Sequence, residues 1–364
     1  MQEIARTPAR TRAERARTER TRVEDARAER ARVERARNGH AATFAPRFGV
    51  PFFIFCALSA LLVGCWPLQL SVATVFLFAG PHNWMEFRFF LARMPARWGR
   101  SKPFFAAALG GVAALTAGYV TLYALGQTWY LSEAAWTAGA ALWTTALLIW
   151  LCTLVHLRAR QMRRDRSWVF AVGFALCAGA WLAPAWFGLA LVYLHPLVAL
   201  WFLNRQLKRT RPRWRATYHL CLAALPVLLA LMWTQLAHAP NVNDEGTLAW
   251  RITQHAGAGL LTGVSSRLLV STHVFLETIH YGAWLVLIPL VGLGSKPWRV
   301  ERIPLAAARD GWPRTVRAAL IFSALVALAL WVSFAADYAT TRDLYFTFAM
   351  AHVLAEAPFL IRLL

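Results

Sequence analysis

The chain has 364 residues, 58% of them hydrophobic, and a mean hydropathy of +0.42. That composition excludes an ordinary soluble domain and fits repeated apolar runs near the ~20 residues that one bilayer crossing needs. The formal net charge of +21 would suggest nucleic acid in a soluble protein. Here the arginines gather in the N-terminal tail and in alternate loops, as cytoplasmic loops facing anionic lipid do, so no nucleic-acid partner is expected.

Residues 1–48 form a tail of Arg, Glu, Ala and Thr with a loose Arg-Ala-Glu-Arg-Ala-Arg repeat. It has too few large apolar side chains to bury a core, and its composition favours a solvated, partly helical cytoplasmic extension. No aromatic residues interleave for stacking on bases, and the apolar segment of a signal peptide is missing. The remainder, 49–364, reads as one transmembrane domain.

The first two spans run over Val50–Trp66 and Leu68–Phe90, broken at Pro67. Spans three and four cover Pro103–Leu125 and Glu133–Leu157, and the basic loop 158–166 follows. Spans five and six, Trp168–Leu182 and Trp186–Asn204, are joined by a tight proline-containing turn. After a second basic loop, span seven covers Ala216–Ala237. Residues 238–265 form a polar connection, with Ala256–Leu269 expected as an interfacial or re-entrant helix. Span eight is Val270–Leu293, span nine Val316–Ala336 and span ten Leu344–Leu364, the last after a connection over 337–343. The expected fold class is therefore all-α: a polytopic transmembrane helix bundle of about ten spans, with both termini cytoplasmic. Period-two alternation, the mark of a membrane β-barrel, is lacking.

One stretch organises the rest: Gly-Pro-His-Asn-Trp-Met-Glu at positions 80–86. His82 and Glu86 are four apart, so on a helix they lie on one face. The same spacing recurs within apolar runs at His273/Glu277 and His352/Glu356. Ionisable groups in membrane spans are expensive and are functional candidates by default. Counting depth at ~1.5 Å per residue, His195, His280 and His352 fall near the middle of their spans and His82 toward the cytoplasmic third. His273 lies ~10 Å further out than His280 and is the weaker candidate.

Imidazole suits iron, copper and zinc, and histidines with carboxylates suit non-haem iron. The expected metal ligands are His82, His195, His280 and His352. Glu86, Glu277 and Glu356 are expected as orienting groups or additional ligands with a catalytic role. A membrane histidine can also serve only as a helix–helix hydrogen-bond partner. Pro196, beside His195, frees a backbone carbonyl that offers a second reason for a polar side chain there. His156 and His219 read as interface residues, and His40, His238 and His255 lie in the tail or the polar connection. The five cysteines are scattered without a CxxC pair, which excludes a zinc ribbon and a disulfide framework. P-loop, HExxH, CxxCH and Ser-centred elbow motifs are absent.

Gly80-Pro81-His82 with an acid at Glu86 resembles the Pro-His-x-x-x-Asp motif of the Brp/Blh family, the integral-membrane β-carotene 15,15′-dioxygenases. The resemblance covers one short motif and the general plan of many spans with buried histidines. It implies an Fe(II) cofactor, with His82 as the one motif residue carried over, and cleavage of a polyene double bond by dioxygen. The family has Gly and Asp where this chain has Asn83 and Glu86, and its later paired-histidine spacing is not reproduced by His273 and His280. The expected function is a membrane-embedded non-haem iron oxygenase acting on a lipophilic, carotenoid- or isoprenoid-like substrate delivered by the lipid bilayer, in a bacterial inner membrane. The alternatives are a proton- or ion-coupled transporter, and an accessory subunit of a membrane complex that uses its His/Glu pairs structurally.

Overall fold

The computed structural model describes residues 45–128, 131–293, 299–308 and 311–363. All but residues 45–48 of the basic tail lie outside the described residues. The described chain is an all-α bundle without a strand. Its helices are α1 (Pro46–Cys65), α2 (Pro67–Arg93), α3 (Lys102–Thr128), α4 (Glu133–Gln161), α5 (Trp168–Leu182) and α6 (Pro184–Thr210). They continue as α7 (Arg215–Leu236), α8 (Thr247–His255), α9 (Ser266–Gly282), the short α10 (Pro304–Ala307), α11 (Pro313–Ala336) and α12 (Tyr338–Leu363). Beyond Gly282, α9 widens into π-helix over Ala283–Leu287 and again over Pro289–Leu293. Pro289 brings no N–H to this stretch, and π-turns of this kind mark a local break in the regular ladder.

Eight of the helical stretches are long and apolar enough to cross a membrane, so the protein is an integral-membrane type of chain. They are α1, α4, α11, α12 and the stretches built on α3, α6, α7 and α9. Besides the short α8 and α10, two helices fall outside that set: α5 with 15 residues, and α2, which carries Glu86, Arg88 and Arg93 in its apolar run.

Several boundaries differ from the sequence expectation. The helix after the polar connection is α8, at Thr247–His255, and not Ala256–Leu269. Residues 256–265 are turns, in which Gly257 adopts φ +93° and Leu260 and Leu261 hydrogen-bond back to its carbonyl. A left-handed glycine ends α8 and leaves α9 to start afresh at Ser266. The last helix begins at Tyr338 and not at Leu344, because Asp337 accepts the Thr340 N–H at 3.1 Å and so initiates the turn. Hydrogen bonds from the Thr340 side chain and backbone hold the Asp337 carboxyl below its ordinary range. This extension places Arg342 and Asp343 on a helix instead of in a loop.

The centre of the bundle is α9. Of its apolar stretch 67% is buried, against 11% for α11, which faces outward along most of its length. Around α9 stand α1, α2, α6 and α7, and α12 packs against α3 and α11. The two ends of the bundle are tied differently. At the arginine-rich end, Arg362 donates to the Arg93 carbonyl (3.1 Å), Arg158 donates to the Arg362 carbonyl (3.2 Å), and Arg93 donates to Gln206. Guanidinium groups there satisfy carbonyls at helix C-termini, where the dipole also favours a cation. At the other end Arg267 holds the carbonyls of Gly64 and Cys65, and Arg251 pairs with Asp343. All five cysteines are free thiols.

At Gly80, α2 comes close to α11. A methyl group there would come within 3.1 Å of the Ala327 backbone and side chain. Because His82 sits two residues further along, this contact fixes its position. Gly80→Leu is expected to force α2 away from α11 and to destabilise the bundle by about 1–3 kcal/mol, read as a lower melting temperature in detergent.

Candidate metal centre

Four helices bring the candidate histidines together at mid-bundle. His82 comes from α2, His195 from α6, His280 from α9 and His352 from α12. Their rings form a closed circuit: His82–His352 5.2 Å, His352–His195 5.6 Å, His195–His280 4.8 Å and His280–His82 5.5 Å between centroids. Glu86 and Glu356 complete the site. The donor atoms fall into two groups, His82/Glu86/His352 and His195/His280/Glu356, each with its atoms within 4.8 Å of one another. Each group is two imidazoles and one carboxylate, a donor set that suits non-haem iron with open coordination positions.

The backbone prepares the imidazoles for this role. His82 Nδ1 lies 3.0 Å from the Phe78 carbonyl and His280 Nδ1 lies 3.2 Å from the Pro196 carbonyl. A carbonyl only accepts, so Nδ1 carries the proton and Nε2 keeps its lone pair for a ligand. Each of the four helices is also irregular beside the site. Pro81 precedes His82, Pro196 follows His195, Pro358 follows Glu356, and the π-helix begins shortly after His280. Prolines in α1 and α7 show that such breaks occur elsewhere too.

Burial makes the polar groups conspicuous. Glu86 is 0% exposed, His82 1%, and His280 and Glu356 2% each. Among the described residues, neither Glu86 oxygen has a hydrogen-bond partner, nor do His280 Nε2, His352 Nδ1 or Glu356 Oε1. Glu356 Oε2 does pair with His195 Nδ1 at 3.1 Å. Glu86 and Glu356 also act on each other electrostatically. Buried carboxylate oxygens without partners are stable only with a neutralising proton or a cation, and the orphaned atoms of Glu86, His280 and Glu356 are donors that metal would satisfy.

The third His/Glu pair goes elsewhere. Glu277 belongs to neither donor group; it accepts the Tyr281 hydroxyl at 2.8 Å. His273 packs against His255 at 5.0 Å and Tyr193 at 6.1 Å. His255, read from the sequence as part of a polar loop, ends α8 and also meets Phe346 at 4.9 Å. Arg342, 4% exposed, acts electrostatically on His255, His273 and Glu277. Sequence reasoning passed over Arg342 and Tyr281. The available signal for Tyr281 was its position one turn after Glu277, and for Arg342 it was a lone arginine among the aromatics of α12.

The two sides of the site contrast. Toward the arginine-rich end, Phe89, Phe90, Phe202, Trp284 and Phe359 form an aromatic plug, with Phe90 and Phe359 stacked at 4.4 Å. Toward the other end runs the polar string of Tyr281, Glu277, His273, His255 and Arg342.

Glu86→Gln separates a structural carboxylate from a ligand. Without metal the substitution removes a buried carboxylate that has no partner, so chelator-treated protein is expected to be as stable as the parent or more stable. With Fe(II) present, the gain in melting temperature seen for the parent should shrink. A loss of stability in chelator alone would instead show that Glu86 has a structural partner.

Comparison with known proteins finds no matching family model, no matching curated protein and no matching solved structure, so the reading of this site rests on its own residues.

Proposed function

We propose that this protein is a membrane-embedded, non-haem iron-dependent oxygenase that acts on a lipophilic substrate. The observation that carries the proposal is the meeting of four imidazoles and two carboxylates from four helices in a buried site with orphaned donor atoms. Fe(II) bound there supplies dioxygen activation. The chain's residues do the rest. His82 and His280 present Nε2, held by the Phe78 and Pro196 carbonyls. Glu86 and Glu356 neutralise charge, and the aromatic plug excludes water from the arginine-rich end.

The surroundings support a lipophilic substrate. An apolar groove of about 530 Å³ runs between α3 and α12, lined by Leu109, Val112, Ala113, Thr116, Phe348 and Ala351. It flanks the helix that carries His352 and Glu356, and it suits a hydrocarbon chain arriving from the bilayer. The motif around His82 adds carotenoid- or isoprenoid-like polyenes as the class to assay. Cleaving one C=C bond with one O2 gives two carbonyl products, with no further reductant needed. We assign ten crossings, with α2 and α5 joining the eight apolar helical stretches, and put the arginine-rich end in the cytoplasm of a bacterial inner membrane.

A second reading, proton- or ion-coupled transport, is favoured by the polar string from Arg342 to Glu277. Under it the pairs relay protons and the histidine site needs no redox metal.

Elemental analysis of the detergent-purified chain, with an absorption spectrum of the same sample, separates the two. The oxygenase reading expects bound iron without a pigment band, lost at least tenfold in His82→Ala and His280→Ala and retained in Glu277→Gln. No metal after expression with added iron, or metal that stays stoichiometric in both histidine variants, moves the assignment to transport.

A further inference from the structure

We infer that the site is dinuclear, holding two metal ions per chain in two matched sets of protein ligands. The inference rests on the metal-site reading above and goes beyond it, since one ion would serve that reading equally well. The first set is His82, Glu86 and His352, from α2 and α12. The second is His195, His280 and Glu356, from α6, α9 and α12.

Three observations separate two ions from one. Each set has the same composition, two imidazoles and one carboxylate, and each is compact enough to close on an ion by itself. A single ion held by the four imidazoles alone would leave both Glu86 oxygens and Glu356 Oε1 buried without a partner, a costly arrangement in a membrane interior. Finally, α12 divides its His/Glu pair between the sets. His352 belongs with α2, whereas Glu356 is bonded to His195 of α6. The same four-residue spacing keeps His82 and Glu86 of α2 in one set, so it is packing that divides the α12 pair between two. Adjacent ions in two-metal sites typically lie ~3.5–4 Å apart, and rings of the two sets in contact at 5.5 and 5.6 Å are compatible with such neighbours.

No other described His, Cys, Asp or Glu joins either group, so three protein ligands would leave coordination positions open in each set. Two ions with vacant positions can bind dioxygen and substrate at separate centres, a division that one crowded ion lacks.

The test loads full-length, detergent-purified protein with Mn(II) under anaerobic conditions and reads metal per chain by mass spectrometry of the elements. Electron paramagnetic resonance of the same sample reports whether the ions are coupled. Two Mn(II) per chain with a spin-coupled signal is the expected result. The paired variants His82→Ala/Glu86→Gln and His280→Ala/Glu356→Gln should each keep about half the metal and give the six-line signal of an isolated ion. One Mn(II) per parent chain, with an uncoupled signal, overturns the dinuclear site but leaves the metalloprotein reading intact. No bound Mn(II) or iron in the parent overturns both. The parent's stoichiometry and signal decide the matter even if a paired variant fails to fold.

Discussion

Every polar group inside a hydrocarbon slab has to find its partner within the protein, and this constraint shapes the bundle throughout. Hydroxyls on the spans turn back to the carbonyl one turn earlier, as Ser59 does to Phe55, Thr74 to Leu70, Thr278 to Val274 and Thr347 to Asp343. Tryptophan N–H groups reach carbonyls on neighbouring helices, Trp143 to Leu115 and Trp150 to Ala107. Tyr193 spans from α6 to the carbonyls of Ala256 and Leu269, pinning the turn after α8. Against that background the orphaned atoms of Glu86, His280, His352 and Glu356 stand apart. Thr116 Oγ1 and Ser265 Oγ also lack a partner, but those four residues bring five unmet atoms together at one site.

Helical class, the positions of most spans and the meeting of the four histidines could be anticipated from residues alone. Apolar runs set the spans, and a constant rise per residue turns sequence number into depth. Depth is why His82, His195, His280 and His352 were read together. Rotation about each helix axis is a different coordinate, set by how ridges and small residues of neighbouring helices interlock. That coordinate decided the fates of the three His/Glu pairs. His82 and Glu86 stay together in one donor group, His352 and Glu356 divide between two, and His273 and Glu277 turn toward His255 and Tyr281. Identical spacing gave three outcomes because packing, and not periodicity, aims a side chain.

The misplaced boundaries have a related cause. Arg342 and Asp343 looked like a loop because charged residues lower hydropathy. In the fold they are helical, because Asp337 starts the turn and Arg251 meets Asp343 from α8. The expected helix over Ala256–Leu269 failed because three glycines interrupt it, and Gly257 takes a left-handed conformation. Local charge and glycine chemistry outweighed average apolarity at both places.

The irregular backbone around the site gives the architecture its direction. A helical carbonyl has a second lone pair beyond its ladder bond, and here it is used to orient an imidazole. Pro196 lies inside α6, and its own carbonyl takes the His280 ring from the neighbouring helix. On α9, π-helix begins just past His280 and carries Trp284 into the aromatic plug with Phe89 and Phe202. The plug closes the arginine-rich side, while Tyr281 and Glu277 leave a polar approach on the other. The Phe78 and Pro196 carbonyls thus fix two ring tautomers, while the π-helical stretch of α9 carries Trp284 among the aromatic side chains on one side of the site. A purely structural set of interhelical hydrogen bonds would need neither feature, because partnered imidazoles require no lone pair held ready and no barrier to water on one face.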